Sequence, residues 1–176
     1  MNKKEIIQAL KTNHHNFFIM IGKFSEEDFR KHIEDKWSPQ QNLVHIVRSI
    51  QPLAYAYNLP KWLIKLIAGR SNRPSKSYEE LVAKYKNKLS SGYKAMGRFI
   101  PPKKLDTSRK KLIKGCKKHL ASINNAVENK WSEEQLDTYI FPHPLLGKIT
   151  AREMLYFTAY HAQHHQEIVE KYYLRN

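Results

Sequence analysis

Residues 150–173, TAREMLYFTAYHAQHHQEIVEKYY, decide how this chain is read. Thr150 followed three residues later by Glu153 is the signature of a capping box, and neither proline nor glycine interrupts residues 151–173. One long helix is the simplest conformation for it. With successive side chains about 100° apart and His161 at zero, Met154, Phe157, Thr158, His165, Ile168, Val169 and Tyr172 fall within about 80°, on one face. Gln163, Glu167, Glu170 and Arg175 are expected to point toward water, with His164 at the edge of the stripe as a rim residue. His161 and His165 lie in the middle of the apolar face, where an imidazole needs a partner. Two histidines one turn apart project side by side and can share a metal ion. The alternative is a pair of core histidines hydrogen-bonded to helix backbone or water.

The rest of the chain is also helical in pattern. Asn2 and Glu5 cap a first helix, about Lys3 to Gly22, with Ile6, Leu10, Phe17 and Ile21 at helical spacing. In WSPQQNLVHIVRSIQPLAYAY, residues 37–57, Ser38 caps, Pro39 suits the first helical position, Gln41 completes a capping box, and Pro52 is a site for a bend. His45 of this helix lies apart from the stripe of Leu43, Ile46, Val47, Ile50 and Leu53, on a side shared with Gln41, Ser49 and Ala56. Read alone, a histidine so placed is more often a solvated surface residue than a ligand.

LPKWLIKLIAG, residues 59–69, predicts a short apolar helix, RSNRPSK a loop, and Ser77 with Glu80 the cap of another helix, YEELVAKYKNKL. SSGYKAMGRFIPPKKL reads as an ordered loop. A long helix is predicted from Thr107 to Lys130 with Leu112, Cys116, Leu120, Ile123 and Val127 as its buried stripe. WSEEQLDTYIFPHPLLGK then crosses to the last helix, with no convincing strand pairing. The expectation is an all-α fold in a single domain, residues 1–176: a four-helix bundle with a long crossover connection and short extra helices in the middle.

Composition narrows the function classes. Apolar residues at 41% and only six glycines suit an ordered globular chain. Cys116, the single cysteine, can form no internal disulfide, and MNKKEIIQALK has no apolar signal core, so a cytoplasmic location is expected. The most apolar tract is broken by lysines and too short to span a bilayer, so no membrane partner is expected. The 31 Lys and Arg against 16 Asp and Glu give a formal charge of +15. Residues 101–119 concentrate eight of the cations beside the single acid Asp106, and read as a solvated helix face. An anionic small-molecule substrate would suit this balance. The sequence leaves a homodimer open.

WSPQQNLVHI, HPLLGKITAREML and HAQHH together resemble, in order and spacing, the DinB-like (YfiT-like) superfamily over nearly the whole chain. SYEELVAKYKNKLSSGYKAMGRFIP is similar to a middle segment of some members. The resemblance implies a bundle of down-up-up-down connectivity and a divalent metal held by three histidines, here His45, His161 and His165, with no ligand role for His164. Three imidazoles leave a zinc or nickel ion with open positions, as in catalytic sites. Position 162 is alanine, where a zinc peptidase of the HExxH type carries glutamate, so that class is excluded. Glu153 and Glu167 project off the ligand face, so activation of a thiol, which needs no base, suits the site better than hydrolysis by a metal-bound hydroxide. Three functions are ranked: first a metal-dependent transferase passing a low-molecular-weight thiol to an electrophile, then a hydrolase, then a non-catalytic metal-binding or interaction module. The balance of the three leans toward an enzyme, a metal-dependent thiol S-transferase or hydrolase. Arg48, near His45 on the same helix, is the candidate for orienting an anionic thiol cofactor.

No recognition-helix motif or platform of stacking aromatics accompanies the basic tract, so no specific nucleic-acid partner is expected. Titration with duplex and single-stranded oligonucleotides of several sequences should show weak binding that is sequence-independent and lost at physiological salt. Tight, sequence-dependent binding would contradict this.

Overall fold

The computed structural model describes residues 1–174; Arg175, expected to face water, lies outside them. Among the described residues, eight α-helices and one short hairpin form in the order α1 (Lys3–Gly22), α2 (Glu26–Arg30), α3 (Pro39–Ala56), α4 (Lys61–Ala68), α5 (Tyr78–Ser90), α6 (Arg109–Lys130), α7 (Glu133–Thr138), β1 (Ile140–His143), β2 (Gly147–Thr150) and α8 (Ala151–Tyr173). The fold is all-α in class. Capping boxes at Asn2–Glu5, Ser38–Gln41, Ser77–Glu80 and Thr150–Glu153 start α1, α3, α5 and α8 where the sequence predicts. Helix α6 begins two residues later than Thr107, because Ser108 supplies the cap to Lys111 N.

Four long helices, α1, α3, α6 and α8, make the bundle, and side-chain contacts fix their directions. Arg109 donates to the carbonyls of Ile21 and Phe24 while Lys3 reaches Glu128 and Trp131, so α1 runs against α6. The Gln40 amide meets Thr107 O and Asn58 meets Ser122, so α3 runs with α6. Tyr57 donates to Ala151 O at one end of α3 and Asn42 meets His165 at the other, so α3 runs against α8. The order along the chain is therefore up, down, down, up, the connectivity implied by the resemblance. The stripe Leu112, Cys116, Leu120, Ile123 and Val127 is buried as expected, and Ile6, Leu10, Phe17 and Ile21 are fully enclosed.

One local expectation is corrected, and two short helices are added. Residues 140–150 do pair, as an antiparallel hairpin with Phe141 opposite Ile149 and His143 opposite Gly147. Two prolines hide the strand signal, but a two-stranded ribbon is all edge, and Pro142 needs no ladder donor there. Gly147 turns the chain at φ +77°, a conformation that suits glycine. Helices α2 and α7 are single turns with little periodicity to reveal them, although Ser25 and Ser132 cap each.

Helix α8 is anchored by Glu153, which is wholly buried. Its carboxylate accepts two hydrogen bonds from the Arg73 guanidinium at 2.7 and 2.8 Å, and one each from Lys76 N and Thr150 N. Arg73 and these amides outweigh burial and hold it below the usual carboxylate range. The sequence identified the cap but not the arginine, which arrives from the loop before α5.

His14 is enclosed in the core, its Nδ1–H donating to Leu10 O at 2.8 Å. Burial pushes it down to about 4 from 6.5. Because the folded value is the lower one, the unfolded chain binds the proton first. Stability from this residue is constant above about pH 7 and falls by on the order of 1.4 kcal/mol per pH unit as pH drops from 6.5 toward 4. Denaturant unfolding at pH 7 and pH 5 should give a shallower pH dependence in His14→Phe than in the parent protein.

Candidate metal centre

The antiparallel packing of α3 on α8 brings His45 level with His161 and Asn42 level with His165. His45 Nε2 and His165 Nε2 each lie 3.1 Å from His161 Nε2, and one nitrogen from each of the three rings falls within 4.8 Å of the others. All three side chains are buried. His45 is thus no surface residue. The small, polar side of α3 that looked solvent-facing instead lines a cavity, with Ser49 and Ala56 on its wall.

Hydrogen bonds on the far side of two rings settle which nitrogen carries the proton. His45 Nδ1 is 2.7 Å from Phe99 O, and a carbonyl can only accept, so Nδ1 is the protonated atom and Nε2 bears a lone pair. The Asn42 amide nitrogen donates to Trp37 O and Ser38 O, which turns Asn42 Oδ1 toward His165 Nδ1 at 2.7 Å. His165 therefore also presents an Nε2 lone pair inward. His161 could donate to one of these two nitrogens but not to both. Hydrogen bonding cannot satisfy the cluster, whereas a cation at the point of convergence would, so the donor set fits a divalent metal ion.

Burial pushes His161 and His165 well below the usual histidine range and lowers His45 too, the neighbouring imidazoles adding to the effect. All three are neutral at pH 7, the form a metal requires. Trp37 stacks 6.4 Å from His165 and lies 5.1 Å from His45, closing one side. Phe157 stacks 4.7 Å from His161 on another. A family profile for the DinB superfamily matches residues 9–169. The chain belongs to the DinB superfamily. Comparisons with curated proteins and with solved structures find no match.

In this DinB superfamily chain the cluster opens on a cavity of about 660 Å³ whose walls come from α3, α5, the loop 94–99, the hairpin and α8. His164 lies on the cavity wall with its ring edge against Tyr85, outside the three-histidine cluster as its rim position predicted. Arg48 does not line the cavity. Its guanidinium donates to the carbonyls of Arg98 and Ile100 on either side of Phe99, so it braces the loop that holds His45. In this structure the guanidinium is engaged with the short 3-10 turn at Gly97–Phe99, whose flanking carbonyls it holds.

Two residues of the site are not legible in the sequence pattern. Asn42 precedes His45 by three positions on α3, a spacing that places it on the same side, but only the register of α8 shows that it meets His165. His143 lines the cavity from β1, its ring 4.2 Å from that of Phe157. Its Nδ1 accepts from Leu145 N at 3.1 Å and Leu146 N at 3.0 Å, which leaves Nε2 as an N–H donor. Burial, with Lys84 nearby, pushes His143 down to about 4, so the donor is neutral.

In the metal-free protein at pH 7.5, long-range ¹H–¹⁵N spectra of the imidazoles should show His45 and His165 protonated at Nδ1 and His143 at Nε2. The opposite tautomer at His45 or His165 would overturn the lone-pair convergence.

Proposed function

We propose that this protein is a metal-dependent transferase that activates a small thiol for S-transfer to an electrophilic substrate. The observation that carries this reading is the convergence of three neutral imidazole nitrogens, with no carboxylate bonded to their rings among the described residues, at the base of a largely apolar cavity. His45, His161 and His165 would hold one divalent ion, zinc or nickel, and such an ion lowers the pKa of a thiol or water that enters its open positions.

The chain supplies the rest. Phe99 O and Asn42 Oδ1 fix two ring protons, so both rings present Nε2 without rearrangement. Leu53, Phe141, Met154 and Phe157 form walls that exclude water and suit the apolar body of an electrophile. His143 Nε2–H would donate to the atom on which charge develops, and stays uncharged down to about pH 4. Lys36 and Lys94 on the wall offer partners for the carboxylates of a small thiol. Glu153 is committed to Arg73, and Glu167 sits at the surface accepting from Gln163, so neither can serve as base.

Asp35 favours a second reading. It is the one carboxylate among the described lining residues, exposed at the cavity edge, and a base there would serve hydrolysis.

Purified protein should carry about one divalent ion per chain, lost in His45→Ala, His161→Ala and His165→Ala and kept in His164→Ala, by elemental analysis. Asn42→Ala should weaken metal binding by about 10- to 100-fold through the loosened His165 ring. The metal-loaded protein should accelerate conjugation of small thiols to electrophilic test substrates, and His45→Ala should abolish this. Ester or amide turnover that is indifferent to thiol and lost in Asp35→Asn would establish the hydrolase instead.

A further inference from the structure

Helix α4 presents its apolar side chains to solvent. Only Ile64 is buried; Trp62 is 68% exposed, Leu66 76% and Ile67 66%, with Tyr55 at 64% in the last turn of α3. Trp62 and Leu66 are one turn apart and opposite Ile64 by helical geometry, so they form the outermost ridge of the helix. Scattered exposed apolar residues are ordinary, but four large ones in 13 consecutive positions, 55–67, make a patch.

The patch is framed by cations. From Lys36 to Tyr78 the sequence holds no Asp or Glu, and Lys65 and Arg70 are exposed beside the ridge. Lys61 lies 3.5 Å over the Trp131 ring, where burial, then the charge of Lys130, pushes it down to about 8. On α7, which follows Trp131 and its neighbour Ser132, Glu133 and Asp137 are paired with Arg152, leaving Glu134 as the one carboxylate of that helix without a salt bridge among the described residues. We propose that α4 docks on an anionic phospholipid surface, inserting Trp62, Leu66 and Ile67 at the headgroup boundary while Lys65 and Arg70 meet lipid phosphates.

Geometry and charge select this occupant. An eight-residue helix cannot cross a bilayer, and none of the described helices is long and apolar enough to do so, so α4 lies along the interface. A stable protein partner needs roughly 20 to 30 residues a side, far more than this ridge offers. A second copy would also set two cation frames against each other in a chain of net charge +15. The sequence argued against a membrane partner because no tract can span, which leaves a surface contact open. Helix α4 packs on β1, whose Phe141 and Pro142 line the cavity, so docking would set the cavity beside the lipid and favour lipophilic substrates.

The test is co-sedimentation of the full chain with vesicles of phosphatidylcholine alone or mixed with phosphatidylglycerol, alongside sedimentation equilibrium without lipid. Binding is expected only to the anionic vesicles, weakened about tenfold or more in Trp62→Ser/Leu66→Ser and in Lys65→Glu/Arg70→Glu. The control Lys110→Glu/Lys114→Glu/Lys117→Glu, on the basic face of α6, should lose much less. Unchanged circular dichroism and metal content in each variant would show the fold intact. No binding to anionic vesicles, or a larger loss in the α6 control than in the α4 variants, overturns the proposal. So does a dimer that Trp62→Ser/Leu66→Ser dissociates, which would identify a second copy as the occupant.

Discussion

Three imidazoles buried at one point, with two of their lone pairs fixed inward, set the terms for everything around them. An unmet polar group in a core costs on the order of 1 to 3 kcal/mol, and the contacts at 3.1 Å among His45, His161 and His165 cannot all be hydrogen bonds. The inner nitrogens therefore cannot all find hydrogen-bond partners in one another, although the outer nitrogens of His45 and His165 are satisfied by Phe99 O and Asn42 Oδ1. That combination is what a preorganised ligand set requires: the cost of desolvating the rings is met during folding, and a cation at that point would find them neutral and aligned.

Several features remote from the chemistry make sense as supports for this arrangement. The Ser38 cap fixes where α3 begins and so where Asn42 and His45 stand. Arg48 holds the Phe99 loop from both sides, which aims the carbonyl that aims His45. Glu153, gripped by Arg73, ties the start of α8 to the chain entering α5, and α5 in turn places Tyr85 against His161 and His164. These contacts cross between segments distant in sequence, so the centre is a product of the bundle as a whole.

The cavity and the surface follow different rules. Inside, the walls are aromatic and aliphatic, the histidines are neutral, and a fixed N–H donor at His143 stands one phenyl ring from His161. Outside, an excess of lysine and arginine surrounds the molecule and attracts anions without discrimination. A ligand with an acidic tail and an apolar head would be served by both, entering along the field and packing below it.

The sequence by itself determined the six longer helices and part of the candidate site. Caps at Asn2, Ser38, Ser77 and Thr150 are local hydrogen-bond signals, legible within four residues, and the apolar stripe of α8 singled out His161 and His165 over His164 because helical periodicity is local too. Only the tertiary structure decided the rest. By its own helix His45 was a surface residue, and only the resemblance to a family made it a candidate ligand, since a side chain's neighbour across a cavity leaves no mark on the spacing around it. Arg73 beneath Glu153, Asn42 behind His165, and Arg48 on the Phe99 loop are pairings between residues 50 to 123 positions apart. The hairpin at residues 140–150 was hidden because a two-stranded edge tolerates the prolines that argue against a strand. Long-range register, which packing sets and local pattern does not encode, is what turned separate histidines into one centre.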